Sequence, residues 1–394
     1  MIASQSSYIA LPQTPSAEEK DGCPTRVLLS YRWNIRRAVK MLVVLFLLSL
    51  TSLCYSLTVP VKARNADTTA GPDGFVDTHA SDLMIHDPSV IKYGDKYYAY
   101  GVGVYLNIWE SYDMSGPWNL TGSLLDGPAD IQKGDNIEPW APNTIQVGDT
   151  FYCFYCVSEA GSRDSAIGVA TSSHPGPGGW TDHGLVLQTG SGVGSQIYPM
   201  NVSNAIDPSI IVADVPYLVY GSYWTGIYQV PLTMDLLSLA NPEEPDATHL
   251  VYAPNGIHPA EGSFVTYRAP YYYLWFSHGQ CCDLHANALP AAGHEYSIRV
   301  GRSMDPRGPY LDKDGVDLVD GGGTVVYGSN NDVYAPGGEG VLNDGQTDVL
   351  FYHYVNTTVG YGFNQTSMGW NYLDYQDGWP VATYNRPSST SSLW

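Results

Sequence analysis

The sequence predicts an all-β protein, a five-bladed β-propeller behind an N-terminal signal-anchor or signal-peptide segment, and three observations carry that reading. The first is composition. Among 394 residues there are 31 Tyr, 41 Gly and 27 Pro but only 18 Lys and Arg; aromatic residues suit pleated, half-buried surfaces and Gly and Pro supply turns. The second is a repeat: an apolar run, a turn bearing Gly or Asp, then a Tyr- or Phe-rich run, written five times. The third is an acidic opening shared by three repeats, His86-Asp87-Pro88-Ser89, Ile206-Asp207-Pro208-Ser209 and Ala260-Glu261-Gly262-Ser263.

Residues 1–40 are polar and weakly patterned and read as a disordered tail, cytoplasmic or preceding the signal. Residues 41–59, MLVVLFLLSLTSLCYSLTV, are an uncharged apolar run directly after Arg32, Arg36, Arg37 and Lys40. The basic flank leaves the N-terminus in the cytoplasm and exports the remainder of the chain. The run is close to a minimal span, so an uncleaved type II anchor and a cleaved signal starting at Met41 both stay open. Residues 60–70 form a linker, 71–387 the propeller and 388–394 a tail. Sequons at Asn119, Asn201, Asn356 and Asn364 agree with export to the outside or the cell surface. The chain carries 18 Lys and Arg against 39 Asp and Glu. Residues 1–64 hold eight and three of these, leaving residues 65–394 with ten against 36, a formal charge of −26. Such a surface repels nucleic acid and anionic lipid, so membrane contact is expected only through the N-terminal segment. A neutral polysaccharide is compatible with it, and a monomer is expected.

The five units open near Asp87, Ala141, Asp207, Glu261 and Gly338. Third and fourth strands succeed them as SAIGVATSS (165–173), TGIYQVPL (225–232) and YSIRVGRSM (296–304). Four short antiparallel strands per unit make a propeller blade. A sandwich would alternate similarly but would not repeat the same acidic opening. Gly321-Gly322-Gly323 reads as a blade connection, because it lacks the Lys and the strand-to-helix setting of a phosphate loop. Cys153 and Cys156 lie three apart on one strand and face opposite ways, which argues for structural thiols or disulfides rather than zinc. Adjacent Cys281-Cys282 can bond only through a strained eight-membered ring, of a kind found at ligand-facing turns.

The innermost strand of a blade lines the axial channel, so Asp87, Asp207 and Glu261 are expected to meet there. Glycoside hydrolysis needs one protonated carboxyl for the leaving oxygen and one ionised carboxylate as base or nucleophile. A third acid nearby disfavours ionisation of the first and orients it.

The ordered set HDPSVIKYGDKYY, WAP, NAIDPSIIV, GSYWTGIYQVPL, EGSFV, CC, IRVGRS and APGGEGV resembles the endo-1,5-α-L-arabinanases of glycoside hydrolase family 43, closest to the fungal branch. The resemblance runs from about His79 to Val381. It implies a five-bladed propeller that cuts arabinan with inversion, Asp87 acting as general base, Glu261 as general acid and Asp207 as modulator. The two working carboxyls would stand about 6.5–9.5 Å apart. It also implies sugar contacts at Asn204, Ser222, Tyr223 and Trp224, with His86 and Trp140 as pocket walls.

Two departures bear on this. WAP is often followed by Asp in the family and here by Asn143, a further candidate for substrate contact. Bacterial members carry a His-Asn pair that helps hold a central ion, where this chain has Gly338-Glu339. No cofactor is therefore expected, and a central calcium is placed in doubt. An exo-acting arabinofuranosidase or xylosidase of the same family, and a non-catalytic carbohydrate-binding propeller, are the alternative readings.

Overall fold

The computed structural model describes residues 74–388, so the expectations for the tail, the apolar run and the linker lie outside the described residues. Among the described residues, twenty-one strands and two 3-10 turns make up the regular structure. β1 (His79–Met84) leads in. Blade 1 is β2 (Ser89–Tyr93), β3 (Lys96–Gly101), β4 (Asn107–Ser111) and β5 (Asn119–Ser123). Blade 2 is β6 (Trp140–Val147), β7 (Thr150–Val157), β8 (Ala166–Ser172) and β9 (Thr181–Gln188). Blade 3 is β10 (Ser209–Val212), β11 (Pro216–Tyr220), β12 (Ile227–Pro231) and β13 (Thr248–Val251). Blade 4 is β14 (Ala260–Arg268), β15 (Tyr271–His278), β16 (Ser297–Ser303) and β17 (Thr324–Tyr327). Blade 5 contains β18 (Val333–Asn343), β19 (Asp348–Asn356), β20 (Thr366–Gln376) and β21 (Trp379–Thr383). The five-bladed expectation holds, and the strands expected from SAIGVATSS, TGIYQVPL and YSIRVGRSM are β8, β12 and β16.

Local chemistry explains the meanders. Gly94-Asp95 and Gly148-Asp149 each join paired residues, Tyr93 to Lys96 and Val147 to Thr150, and both glycines are left-handed, at φ 64° and 61°. A glycine in the first position of a two-residue hairpin matches the twist of the strands it joins. Gly321-Gly322-Gly323 joins β16 to β17, so it is a turn inside blade 4 and not a connection between blades.

Apolar side chains from facing sheets form one cluster between each pair of neighbouring blades, closing a ring of five cores. Cys153 packs in the cluster between blades 1 and 2 and Cys156 in the one between blades 2 and 3, on opposite faces of β7 as expected. Both are free thiols. The innermost strands β2, β6, β10, β14 and β18 touch one another in a closed circuit around the axis.

Blade 5 is completed in a way the repeat pattern does not reveal. β20 pairs with β1 along Ser367–Trp370 and with β21 along Tyr372–Gln376, so a strand from the start of the domain shares the outer edge with one from its end. Fully buried Asn371 fastens the closure: its Nδ2 donates to the Asp77 carbonyl at 2.8 Å and its Oδ1 accepts from the Tyr352 hydroxyl at 2.6 Å. Tyr352 Oη in turn accepts from Thr78 Oγ1 at 2.8 Å. Replacing Asn371 by Ala leaves the buried Tyr352 hydroxyl without its acceptor and the part-buried Asp77 carbonyl without its donor, which costs about 1–2 kcal/mol. Chemical denaturation of Asn371→Ala is expected to show that loss; an unchanged midpoint would mean that the β1 closure does not limit stability.

Candidate active site

Each innermost strand is entered through one residue in the left-handed region: Asp87 (φ 47°), Ala141 (44°), Asp207 (56°), Gly262 (61°) and Gly338 (56°). Two residues after each comes a ladder residue of the inner strand, namely Ser89, Asn143, Ser209, Phe264 and Gly340. This corrects one expectation. Asp87 and Asp207 are equivalent, but Glu261 sits one residue earlier and is equivalent to His86 and Ile206. The shared serine aligns Glu-Gly-Ser with Asp-Pro-Ser in sequence, whereas the backbone aligns Gly262 with the aspartates. Left-handed φ is expensive for an ordinary side chain and easier for Asp and Gly.

The entry residues surround an axial cavity of about 40 Å³ lined by Asp87, Asn143, Asp207, Ser263, Gly338 and Glu339 among others. It has room for water beside the carboxyls. Glu261 is buried at its side. Ser222 Oγ donates to its Oε2 and Tyr296 Oη to its Oε1, both at 2.5 Å. Asp207 Oδ2 accepts from the amide of Gly262 at 3.0 Å, so Asp207 is tied to the residue directly after Glu261. The structure therefore brings Asp87, Asp207 and Glu261 to one axis.

Their electrostatics diverge. Burial opposes ionisation of Asp87, but neighbouring His86 and the hydrogen bond from His353 outweigh it and hold the carboxyl at about 2. About a quarter of Asp87 stays open to solvent, at 26%. Burial raises the carboxyl of Glu261. The Ser222 and Tyr296 hydroxyls pull it partly back, while the Asp87 charge pushes it further up. Asp207 is raised well above the usual range by burial and by the charges of Glu261 and Asp87, against the Gly262 amide. Two neighbouring acids in a dry site cannot both ionise readily, so this pair holds a proton that Asp87 lacks.

Sequence reasoning missed several partners. His353, from the aromatic run FYHYV of β19, is buried, and its Nδ1 stands 3.2 Å from the amide nitrogen and 3.3 Å from Oδ1 of Asp87. It accepts from the amide when Nδ1 is bare and donates to the carboxylate when Nδ1 carries the proton. A lone buried histidine in an otherwise apolar strand, paired across the ladder with Gly337, was the available signal. Tyr296 left no signal, since it lies 35 residues from the glutamate it serves. Glu339 is a fourth carboxyl on the axis. Burial raises it to about 8 although Ser277 Oγ donates to its Oε2 at 2.6 Å, and its Oε1 is buried with no partner.

The remaining expected contacts scatter. His86 is buried, with its ring between those of His353 and Phe363 at 4.0 and 4.1 Å. Burial lowers it to about 3, so it is neutral in ordinary conditions. Ser222 acts through Glu261, to which it donates. Tyr223 donates to the Gly279 carbonyl at 3.3 Å, and Trp224 is exposed beside it. Asn204 is buried and accepts from Ser165 Oγ at 2.7 Å. Asn143 lines the cavity and accepts from the amide of Ile210 at 3.3 Å, which makes it a tie between blades 2 and 3. Trp140 packs half-buried against the core between those blades.

A central calcium does not fit the donors. The group of three ligand atoms that converges here is His86, Asp87 and His353, rich in nitrogen, whereas calcium takes six to eight oxygens. The other group, His86 with Cys281 and Cys282, uses sulfurs bonded to each other. Position 338 cannot hold an imidazole either: a Cβ there would lie 2.5 Å from Asp87 Oδ1 and 2.6 Å from His353 Nδ1.

A propeller that gathers one carboxyl held low and another pushed up by burial around an axial cavity is built like a glycoside hydrolase. Comparison with known proteins agrees: residues 81–380 match the model of "Glycosyl hydrolases family 43", and the chain belongs to that family. It is 49% identical to the "Probable arabinan endo-1,5-alpha-L-arabinosidase B" of Aspergillus flavus over 86% of this chain and 97% of that protein. It is 47% identical to the "Arabinan endo-1,5-alpha-L-arabinosidase B" of Emericella nidulans over 80% and 87%. Among solved structures, a native arabinanase from Bacillus subtilis superposes with TM-score 0.66 and 30% identity, covering 77% of this chain and all of that one.

The hydroxyl of Ser222 lowers the pKa of Glu261, so removing it raises the pH at which Glu261 gives up its proton. An acid must be protonated to act, so activity falls as pH rises through that value. Ser222→Ala is expected to move the alkaline limb of kcat/KM to higher pH, with a loss of less than about tenfold at the optimum. A pH–rate profile checks this; an unmoved limb would separate Glu261 from the acid step.

Proposed function

We propose that the protein is an exported endo-1,5-α-L-arabinanase that hydrolyses internal bonds of arabinan with inversion. The observation that carries this reading is the split between Asp87, whose carboxyl is held at about 2, and Glu261, whose carboxyl burial pushes up, at the axis of a family 43 propeller. The likeness to the two fungal proteins named as arabinan endo-1,5-α-L-arabinosidases supplies the substrate.

In this mechanism Asp87 takes a proton from a water as that water attacks the anomeric carbon. Glu261 gives its proton to O5 of the next arabinose as the glycosidic bond breaks. The two carboxyls finish with exchanged protonation states and reset through solvent. Asp207 works through the Gly262 amide and its charge, keeping a proton on the Glu261 side. Ser222 and Tyr296 aim the Glu261 carboxyl, and the His353 hydrogen bond helps keep Asp87 ionised. Among the expected sugar contacts Trp224 is the exposed one and Tyr223 is half-buried, while Asn204, Asn143 and Trp140 support the scaffold. Export is supported by the basic-flanked apolar run and by sequons at Asn119, Asn201 and Asn364 that are exposed.

Full-length protein from a secretory host is expected to release short arabino-oligosaccharides early from linear arabinan, and Glu261→Gln to lose at least about 1,000-fold in kcat while still binding arabinotriose. Arabinose alone as the early product would favour the exo-acting reading. Binding without hydrolysis by the unaltered protein would favour a carbohydrate-binding propeller. Because the donors suit no resident calcium, extensive treatment with EDTA is expected to leave kcat unchanged. A loss restored by calcium would contradict that part.

A further inference from the structure

The Cys281–Cys282 disulfide takes no part in the proton transfers, yet it stands between the supports of both working carboxyls. It lies in the loop from β15 to β16. At the base of that loop the Gln280 amide donates to the His294 carbonyl at 2.8 Å, and the Tyr296 amide donates to the Gln280 carbonyl at 3.1 Å. The same Tyr296 holds Glu261. On its other side Cys282 Sγ lies 3.9 Å from His86 Nε2, and that nitrogen is 3.6 Å from Asp87 Oδ1. Both cysteines are half-buried, so part of the bonded pair faces outward. Phe363, 48% exposed, covers the face of the His86 ring turned away from His353.

A disulfide and a phenyl ring thus both lie against the buried, neutral imidazole next to Asp87. A disulfide is polarisable and offers no strong hydrogen-bond donor, so it suits the C–H face of a sugar rather than its hydroxyls. The sugar attacked by the Asp87-activated water must place its anomeric carbon within reach of that carboxylate.

We propose that the Cys281–Cys282 disulfide and Phe363 form an apolar wall that grips the arabinofuranose whose anomeric carbon is attacked beside Asp87. The proposal rests on the arabinanase reading and adds the contact surface for that sugar. A disulfide that only stiffened the loop would affect stability and kcat through Tyr296 and Glu261, but not the affinity for the sugar.

The test uses the full-length protein and linear arabino-oligosaccharides. Cys281→Ser/Cys282→Ser and, separately, Phe363→Ala are each expected to raise KM about five- to tenfold with kcat kept within about threefold. In the Glu261→Gln background each is expected to weaken arabinotriose binding by the same factor. Where the double serine variant does not fold, Phe363→Ala decides, together with reduction of the folded protein by a water-soluble phosphine. In that reaction the disulfide gains two electrons and two protons while the phosphine becomes its oxide with oxygen from water. Reduction should raise KM reversibly, with recovery on reoxidation. KM within about twofold of the unaltered protein in these variants, or a loss confined to kcat with a lower melting temperature, overturns the wall. An unaltered protein inactive on every arabinan substrate removes the arabinanase reading and the wall together, whereas an active one with insensitive KM removes the wall alone.

Discussion

Four carboxyl groups, those of Asp87, Asp207, Glu261 and Glu339, crowd one buried axis, and the chemistry of the site stems from that crowding. The partners the structure gives them are hydroxyls, backbone amides and imidazoles. Without a guanidinium or ammonium among these partners, full ionisation of the set would carry a heavy desolvation and repulsion cost. The axis settles this by unequal protonation. Asp87, the most open and the one hydrogen-bonded to His353, takes the charge. The other three are pushed up by burial and by one another. An acid and a base thus arise from residues of the same chemical type, because their surroundings differ.

The propeller supplies the geometry for this sorting. Five inner strands bring five chain entries to one point, and a left-handed residue at each entry turns the chain sharply into its strand. Where that residue is Asp, a carboxyl meets the axis. Where it is Gly338, the space left is filled by Asp87 and His353, which a Cβ would displace. Small residues are therefore as much a part of the site as the acids. The loops after the second strands of blades 3, 4 and 5 carry the supporting cast: Ser222 for Glu261, the disulfide loop with Tyr296, and Phe363 over His86.

Much of this was legible in the sequence, and the limits have physical causes. The five repeats, the four-strand order and the convergence of Asp87, Asp207 and Glu261 came from strand periodicity and from repeated Asp-Pro-Ser. The one-residue offset of Glu261 was hidden, because the serine match is a chemical likeness and the left-handed turn is a backbone one. His353 lies 266 residues from the amide it contacts, and the Asn371 tie to Asp77 spans 294, distances at which no local pattern points to a partner. Asn143 and Asn204 looked like sugar contacts because polar residues beside a catalytic motif usually face the ligand. Here their carbonyl oxygens are used up by the scaffold.

The most direct test of a site with an ionised base opposite a protonated acid is the stereochemistry of its first product. Cleavage inside 1,5-linked arabinan leaves a reducing-end arabinose whose O5 is still substituted, so that sugar stays a furanose and its anomers can be tracked by proton NMR from the first seconds of reaction. A single displacement by water activated at Asp87 produces the β-anomer first, with the α-anomer appearing only by mutarotation. The α-anomer as first product would require a covalent intermediate on one carboxylate and would contradict the assignment of Asp87 as base and Glu261 as acid.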